Sequence, residues 1–173
     1  MGIENERKFV LRDHEALLAR CREGWPEMRL QQFYLSPEGR FRLVERDGRE
    51  PERIFTYKRP TTSGLLEIET PVSEEDYAIA LAEAPAVLSK TRFDVDGGEG
   101  HWSVDFFTAG VGGPVYFAMA EVEFPVGGTY LMPAFVKPHV ELEVPHRDNP
   151  TFASARLINR AYAARVVDDY RSR

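Results

Sequence analysis

The sequence is poor in the residues that build covalent or soft-metal frameworks. Its one cysteine, Cys21, excludes an internal disulfide and any multi-cysteine metal site, and it fits a reducing, cytoplasmic setting. The four histidines, His14, His101, His139 and His146, are too scattered to give a zinc-ligand spacing. No apolar run approaches the roughly 20 residues of a membrane helix, so no membrane partner is expected. The acidic opening MGIENERKFV lacks the basic start of a signal peptide. Positive excess is absent too. A formal net charge of −6 argues against a uniformly basic nucleic-acid binder but permits a local cationic pocket. The stretch GVGGP at 110–114 lacks the Lys-Ser/Thr of a phosphate loop. There is no low-complexity tract and no repeat. What is present is ordinary for a globular chain: 173 residues, 43% of them apolar and 29% charged, enough for one domain over 1–173.

Three stretches have helical signals. Residues 13–24 begin at Asp13, an N-cap candidate, and stop at Gly24. Residues 73–84 open with a Ser-x-x-Asp capping pattern and end before Pro85. Residues 149–172 start with Asn-Pro and continue as a long amphipathic pattern, predicting a single C-terminal helix. The remainder reads as strands at 3–11, 30–35, 39–46, 53–58, 65–70, 91–96, 101–107, 115–124 and 139–144, separated by Gly- and Pro-containing turns. The expected fold is mainly β, of the α+β type, with an antiparallel sheet closed or nearly closed and helices outside.

Residues two apart on a strand share a face. By that spacing most strands carry charged pairs: Glu4, Glu6 and Lys8; Arg40 and Arg42; Lys58; Glu67 and Glu69; Lys90 and Arg92; Asp105; Glu121 and Glu123; Glu141 and Glu143. Any single pair fits a solvated sheet face. The set does not, because the pairs are segregated by sign, whereas a surface shaped for solubility mixes signs. Like charges on one face repel unless a facing strand or a ligand compensates. The residues between them, such as Ile3, Phe41, Phe55, Tyr57, Ile68, Phe93, Phe106, Val122 and Leu142, are mostly apolar, so the opposite face can pack against helices. A lumen lined by six cations suits a polyphosphate. Its carboxylates would repel that ligand unless divalent ions bridged them, and oxygen-only ligands point to Mg²⁺ or Mn²⁺.

These residues resemble the CYTH superfamily, the triphosphate tunnel metalloenzymes. Glu4-x-Glu6-x-Lys8 matches its E-x-E-x-K signature. Arg40-x-Arg42, Lys58, Glu67-x-Glu69, Lys90-x-Arg92 with Asp105, and Glu121-x-Glu123 follow in family order over about residues 3–160. The resemblance implies an eight-stranded antiparallel β-barrel tunnel with a charged lumen. It implies that Lys8, Arg40, Arg42, Lys58, Lys90 and Arg92 hold phosphates. It assigns Glu4, Glu6, Glu67, Glu69, Asp105, Glu121 and Glu123 to metal, with Glu4, Glu6, Lys8 and Lys90 as the catalytic set. Glu143-Val144-Pro145-His146 departs from the family pattern by lacking a Thr, and Glu143 stands outside the assigned set. Glu141 has no counterpart and reads as solvated or structural.

The implied activity is a metal-dependent triphosphatase of the cytoplasm. Water would attack a terminal phosphoryl group of inorganic triphosphate, thiamine triphosphate or a nucleoside triphosphate. An adenylate cyclase of the same fold and a non-catalytic polyphosphate or nucleotide binder are the alternatives. Trp25, Phe33, Tyr34, Trp102 and Tyr116 are candidates to stack on an organic ring, although packing accounts for each of them. The C-terminal helix has three readings: plain packing, plugging one tunnel end, or pairing two chains as a homodimer.

Overall fold

Alternating charged and apolar residues favour long strands, and the computed structural model pairs them into one antiparallel sheet. It describes residues 4–61, 64–125 and 127–172, and the side chains at positions 4, 60, 61, 64 and 65 lie outside the described set. The strands are β1 (Glu4–Leu11), β2 (Met28–Tyr34), β3 (Gly39–Arg46), β4 (Glu52–Thr61), β5 (Gly64–Pro71), β6 (Leu88–Val95), β7 (His101–Thr108), β8 (Val115–Pro125) and β9 (Val140–Val144). Their order across the sheet is β5-β4-β3-β2-β6-β7-β8-β1-β9.

The closed eight-stranded barrel expected from the sequence is not what forms. The sheet has nine strands, and no ladder joins β5 to β9 among the described residues. Both edges carry devices that stop further pairing. Pro71 ends β5 and Pro145 follows β9, and proline has no N–H for a ladder. On β9, Arg171 Nη2 donates to the Glu141 carbonyl at 3.1 Å, occupying a backbone acceptor of that short strand.

One face of the sheet is apolar and covered by helices. Phe9, Phe93, Trp102, Val104, Phe106 and Val122 pack with Leu17 and Cys21 of α1 (His14–Gly24) and with Val136. Burying each large side chain contributes roughly 1.5–3 kcal/mol of transfer free energy. Asp13 does not cap α1 through its side chain; it takes a left-handed backbone (φ 54°) and offers its carbonyl to the Leu17 N–H. On the same face, Phe33 meets Tyr77 and Ala80 of α2 (Glu74–Ala82). Here the capping pattern is realised, with the Asp76 N–H donating to Ser73 Oγ at 3.0 Å. Ser73→Ala is therefore expected to cost about 1 kcal/mol, read as a lowered midpoint in urea.

The C-terminal segment is the second departure. The long helix expected over 149–172 is instead a 3₁₀ stretch, His146–Phe152, followed by α3 (Ser154–Leu157), α4 (Arg160–Ala163) and α5 (Val166–Arg171). Asn159 breaks the run: its side chain accepts from the Tyr162 N–H and starts a new helix. Phe152, Leu157, Ala163 and Val166 all reach the core, packing with Val10, Leu88, Phe107, Met119 and Val144. Short pieces can follow a curved sheet; one straight helix cannot place all four. Among the described residues, no helix is long and apolar enough to cross a membrane.

Candidate functional site

Directly opposed residues of an antiparallel ladder point to the same side. Lys8 opposes Glu121, and Glu6 opposes Glu123. Ser103 also opposes Glu121, and Arg92 opposes Asp105. Leu30 opposes Lys90, Gln32 opposes Arg42, and Tyr34 opposes Arg40. Thr56 opposes Arg40 on one side and Glu69 on the other, while Lys58 opposes Glu67. The ladders thus carry one face across eight strands, β5 through β1. That face holds all six expected phosphate-binding cations: Lys8, Arg40, Arg42, Lys58, Lys90 and Arg92. It also holds Glu6, Glu67, Glu69, Asp105, Glu121 and Glu123. Glu4 is two residues before Glu6 and so in phase with it, but its side chain lies outside the described residues. Asn5 and Arg7 take the other face, opposing Phe124 and Val122.

β9 does not continue the pattern. Glu143 opposes Phe9, and so faces away from the charged side, where Tyr130 Oη donates to its carboxylate at 3.1 Å. Glu141 pairs with Arg171 at 3.2 Å. Leu142, grouped by sequence with the outward apolar residues, instead opposes Val10 and packs beside the charged face.

The charged face is largely buried: Lys8, Gln32, Thr56, Lys90 and Asp105 are all among the buried residues. Burial pushes the Tyr34 phenol on β2 up, while Arg40 and Arg42 lower it, Glu121 on β8 raises it and Lys8 on β1 lowers it. Burial likewise lowers Arg42 on β3, with Arg40 and, from β6, Arg92 acting in the same direction.

Two ion-pair groups lie on this face. In the first, Asp105 is fully buried and receives Lys90 Nζ at 2.7 Å and Arg92 at 2.6 and 2.7 Å. Arg92 also reaches Glu121 at 3.2 Å, and Lys8 bridges Glu121 and Glu6. Burial works against the charge on Asp105, but Arg92 and Lys90 outweigh it and hold its carboxyl below the usual carboxylate range. Burial also opposes the Lys8 charge; Glu121 and then Glu6 overcome it and keep the ammonium firmly protonated. Lys90 differs. Burial and the neighbouring Arg92 depress it to about 8, with Asp105 and Glu121 restoring only part of the loss.

The second group is more exposed. Arg42 pairs with Glu69 at 2.6 Å and Lys58 with Glu67 at 3.0 Å. Arg40 reaches Thr56 Oγ1 at 3.4 Å, and that hydroxyl donates to Glu69 at 3.1 Å. The Nε–H groups of Arg40 and Arg42 are both buried without a hydrogen-bond acceptor. Orphaned guanidinium donors on a face rich in cations invite an anion. No protein-family model matches the chain, and no curated protein matches it either.

The carboxylates are the right chemistry for a hard divalent ion, and Glu6 stands opposite Glu123 on the ladder. Among the described residues, however, no three His, Cys, Asp or Glu side chains gather around one point. Glu121, Glu69 and Glu67 are engaged by cations, and Asp105 spends both oxygens orienting Lys90 and Arg92.

Three buried, uncharged polar members of the face lie outside the expected set: Gln32, Thr56 and Ser103. Gln32 donates to Tyr34 Oη at 2.8 Å, fixing the phenol beside Arg40. Their signal is in the sequence. Each sits two residues from another site position or directly across from one, but uncharged side chains do not stand out in a search for charge.

Proposed function

We propose that the protein is a metal-dependent hydrolase of triphosphate compounds, with inorganic triphosphate as the smallest substrate. The observation that carries this reading is the gathering of Lys8, Arg40, Arg42, Lys58, Lys90 and Arg92 on one face of the sheet, two of them with buried N–H groups lacking acceptors. In the same reading the charged face of the open sheet is the substrate-binding surface, and the C-terminal pieces border one end of it.

Arg40 and Arg42 clamp equatorial oxygens through their planar guanidinium groups, and Lys58 neutralises charge at the rim. Lys8 and Arg92, fixed by Glu121, Glu6 and Asp105, hold the reacting phosphoryl group in place for in-line attack. Lys90 donates to the developing phosphate oxygen charge from a water-poor position. Glu4, Glu6, Glu121 and Glu123 are the residues to hold Mg²⁺ or Mn²⁺, and the ion when bound supplies charge neutralisation and a more acidic water.

The test is phosphate release in Mg²⁺ or Mn²⁺ from inorganic triphosphate, thiamine triphosphate, ATP and GTP, with pyrophosphate and cyclic nucleotide read in parallel. Release of phosphate is the expected result. Saturable binding of all four without any product overturns it in favour of a binding module.

A further inference from the structure

Within the cation cradle on the charged face, we infer that the Tyr34 hydroxyl donates directly to the bound anion and that Gln32 is the positioning residue that turns it there. This rests on the triphosphate reading above and adds to it an uncharged donor and the residue that aims it. Gln32 and Tyr34 stand two residues apart on β2 and so share a face. Phe33 between them points the other way, fully buried and stacked on Phe41 with ring centroids 5.1 Å apart. That anchor holds the strand, with Tyr34 opposite Arg40 and Gln32 opposite Arg42.

The hydrogen bonds on this face fix the direction of the phenol. A phenol has one O–H to donate and lone pairs with which to accept. The buried Gln32 amide donates to Tyr34 Oη at 2.8 Å, which uses a lone pair of that oxygen and leaves its proton. Among the described residues no acceptor takes that proton. Burial pushes the phenol up against the lowering by Arg40 and Arg42, so Tyr34 remains a donor at neutral pH. The Nε–H groups of Arg40 and Arg42 lack acceptors as well. Directly opposed residues of a ladder have Cβ atoms about 4.5–5.5 Å apart. Three donors without acceptors are thus carried on two same-face rungs of β2 and β3, a place for a group that only accepts, such as a phosphoryl oxygen. A buried amide is costly unless it is hydrogen-bonded, and Gln32 spends its N–H on holding the phenol.

Tyr34→Phe and Gln32→Met, made singly and together, test this as a double-variant cycle. Binding of inorganic triphosphate is measured by titration calorimetry without divalent ions, where the proposed reaction does not run. Urea midpoints are taken without ligand, and phosphate release is followed in Mg²⁺. Tyr34→Phe is expected to weaken triphosphate binding about tenfold, as for loss of one hydrogen bond to a charged group. Gln32→Met is expected to weaken it about threefold in the wild-type background and to have no effect once Tyr34 is Phe, because it acts through the phenol. Unchanged affinity in Tyr34→Phe, with coupling between the two positions seen only in the urea midpoints, makes the pair a structural hydrogen bond and overturns the inference. An undiminished effect of Gln32→Met in the Tyr34→Phe background overturns it too. Wild-type protein that binds triphosphate without releasing phosphate counts against the hydrolase reading instead, and the variant affinities still decide the role of Tyr34. Wild-type protein that binds no triphosphate overturns both.

Discussion

Asp105→Ala is expected to abolish phosphate release and to lower folding stability by about 3–5 kcal/mol. The carboxylate is fully buried between Lys90 and Arg92, receiving three charge-assisted hydrogen bonds of 2.6–2.7 Å. Its removal leaves two cations facing each other in a site with little water. Each would lose its anchor, and the cradle would lose the geometry that holds them toward the ligand. Urea denaturation measures the first effect and phosphate release the second. Asp105 was expected from the family resemblance to assist a metal ion, and the two roles give different results. If it positions cations, raised Mg²⁺ or Mn²⁺ leaves the variant inactive. If it holds metal, high metal concentration restores turnover while stability falls little.

The linkage has a defined sign. Asp105 is held below the ordinary carboxylate range, so its contribution is present above the unfolded value of 3.8 and is lost as the pH falls through that range. Wild-type protein should therefore lose stability on acidification below about pH 4. Asp105→Ala should show a shallower decline over the same interval, measured as the urea midpoint against pH.

The strand pattern made much of this site legible. The period of two put Arg40 with Arg42, Lys90 with Arg92 and Glu121 with Glu123 on common faces, and the ladders keep them there. What one strand cannot reveal is its phase against the next. β9 shows the consequence. Glu141 and Glu143 have the same spacing as Glu121 and Glu123, yet the pairing puts Phe9 opposite Glu143 and turns that residue away, while Glu141 falls at a register shift between Val10 and Leu11. Closure was illegible for a related reason: edges are decided by what cannot pair, here Pro71, Pro145 and an arginine on the Glu141 carbonyl. The C-terminal helix was overread because helical periodicity survives across breaks. The apolar positions repeat through Asn159, but that side chain satisfies the Tyr162 N–H and resets the axis. The ion pairs were also hidden, since sign segregation along the chain becomes sign pairing across it: Lys58 with Glu67, Arg42 with Glu69, Lys8 with Glu121.

Lys90→Met separates stability from function within the same buried group. Lys90 is 5% exposed and its ammonium is depressed to about 8 by burial and by Arg92. Below that pH the folded state carries a charge it is poorly built to hold. In the unfolded chain the lysine titrates near 10.5, so between about 8 and 10.5 the folded state binds fewer protons than the unfolded one. Stability on this account rises with pH across that window. Methionine keeps the volume, retains contact with the Phe107 ring that the ammonium approaches at 5.8 Å, and leaves Asp105 gripped by Arg92. The variant should therefore fold at least as stably as wild type at pH 7, in a urea titration. Turnover should fall by about 10- to 100-fold, the range expected for one hydrogen bond to a charged phosphate. Wild-type turnover should decline as the pH rises through about 8 and the ammonium is lost, whereas Lys90→Met should show no such limb. A variant with the same alkaline limb as wild type would move that titration to another group, and one that loses stability as well as activity would make Lys90 a structural cation.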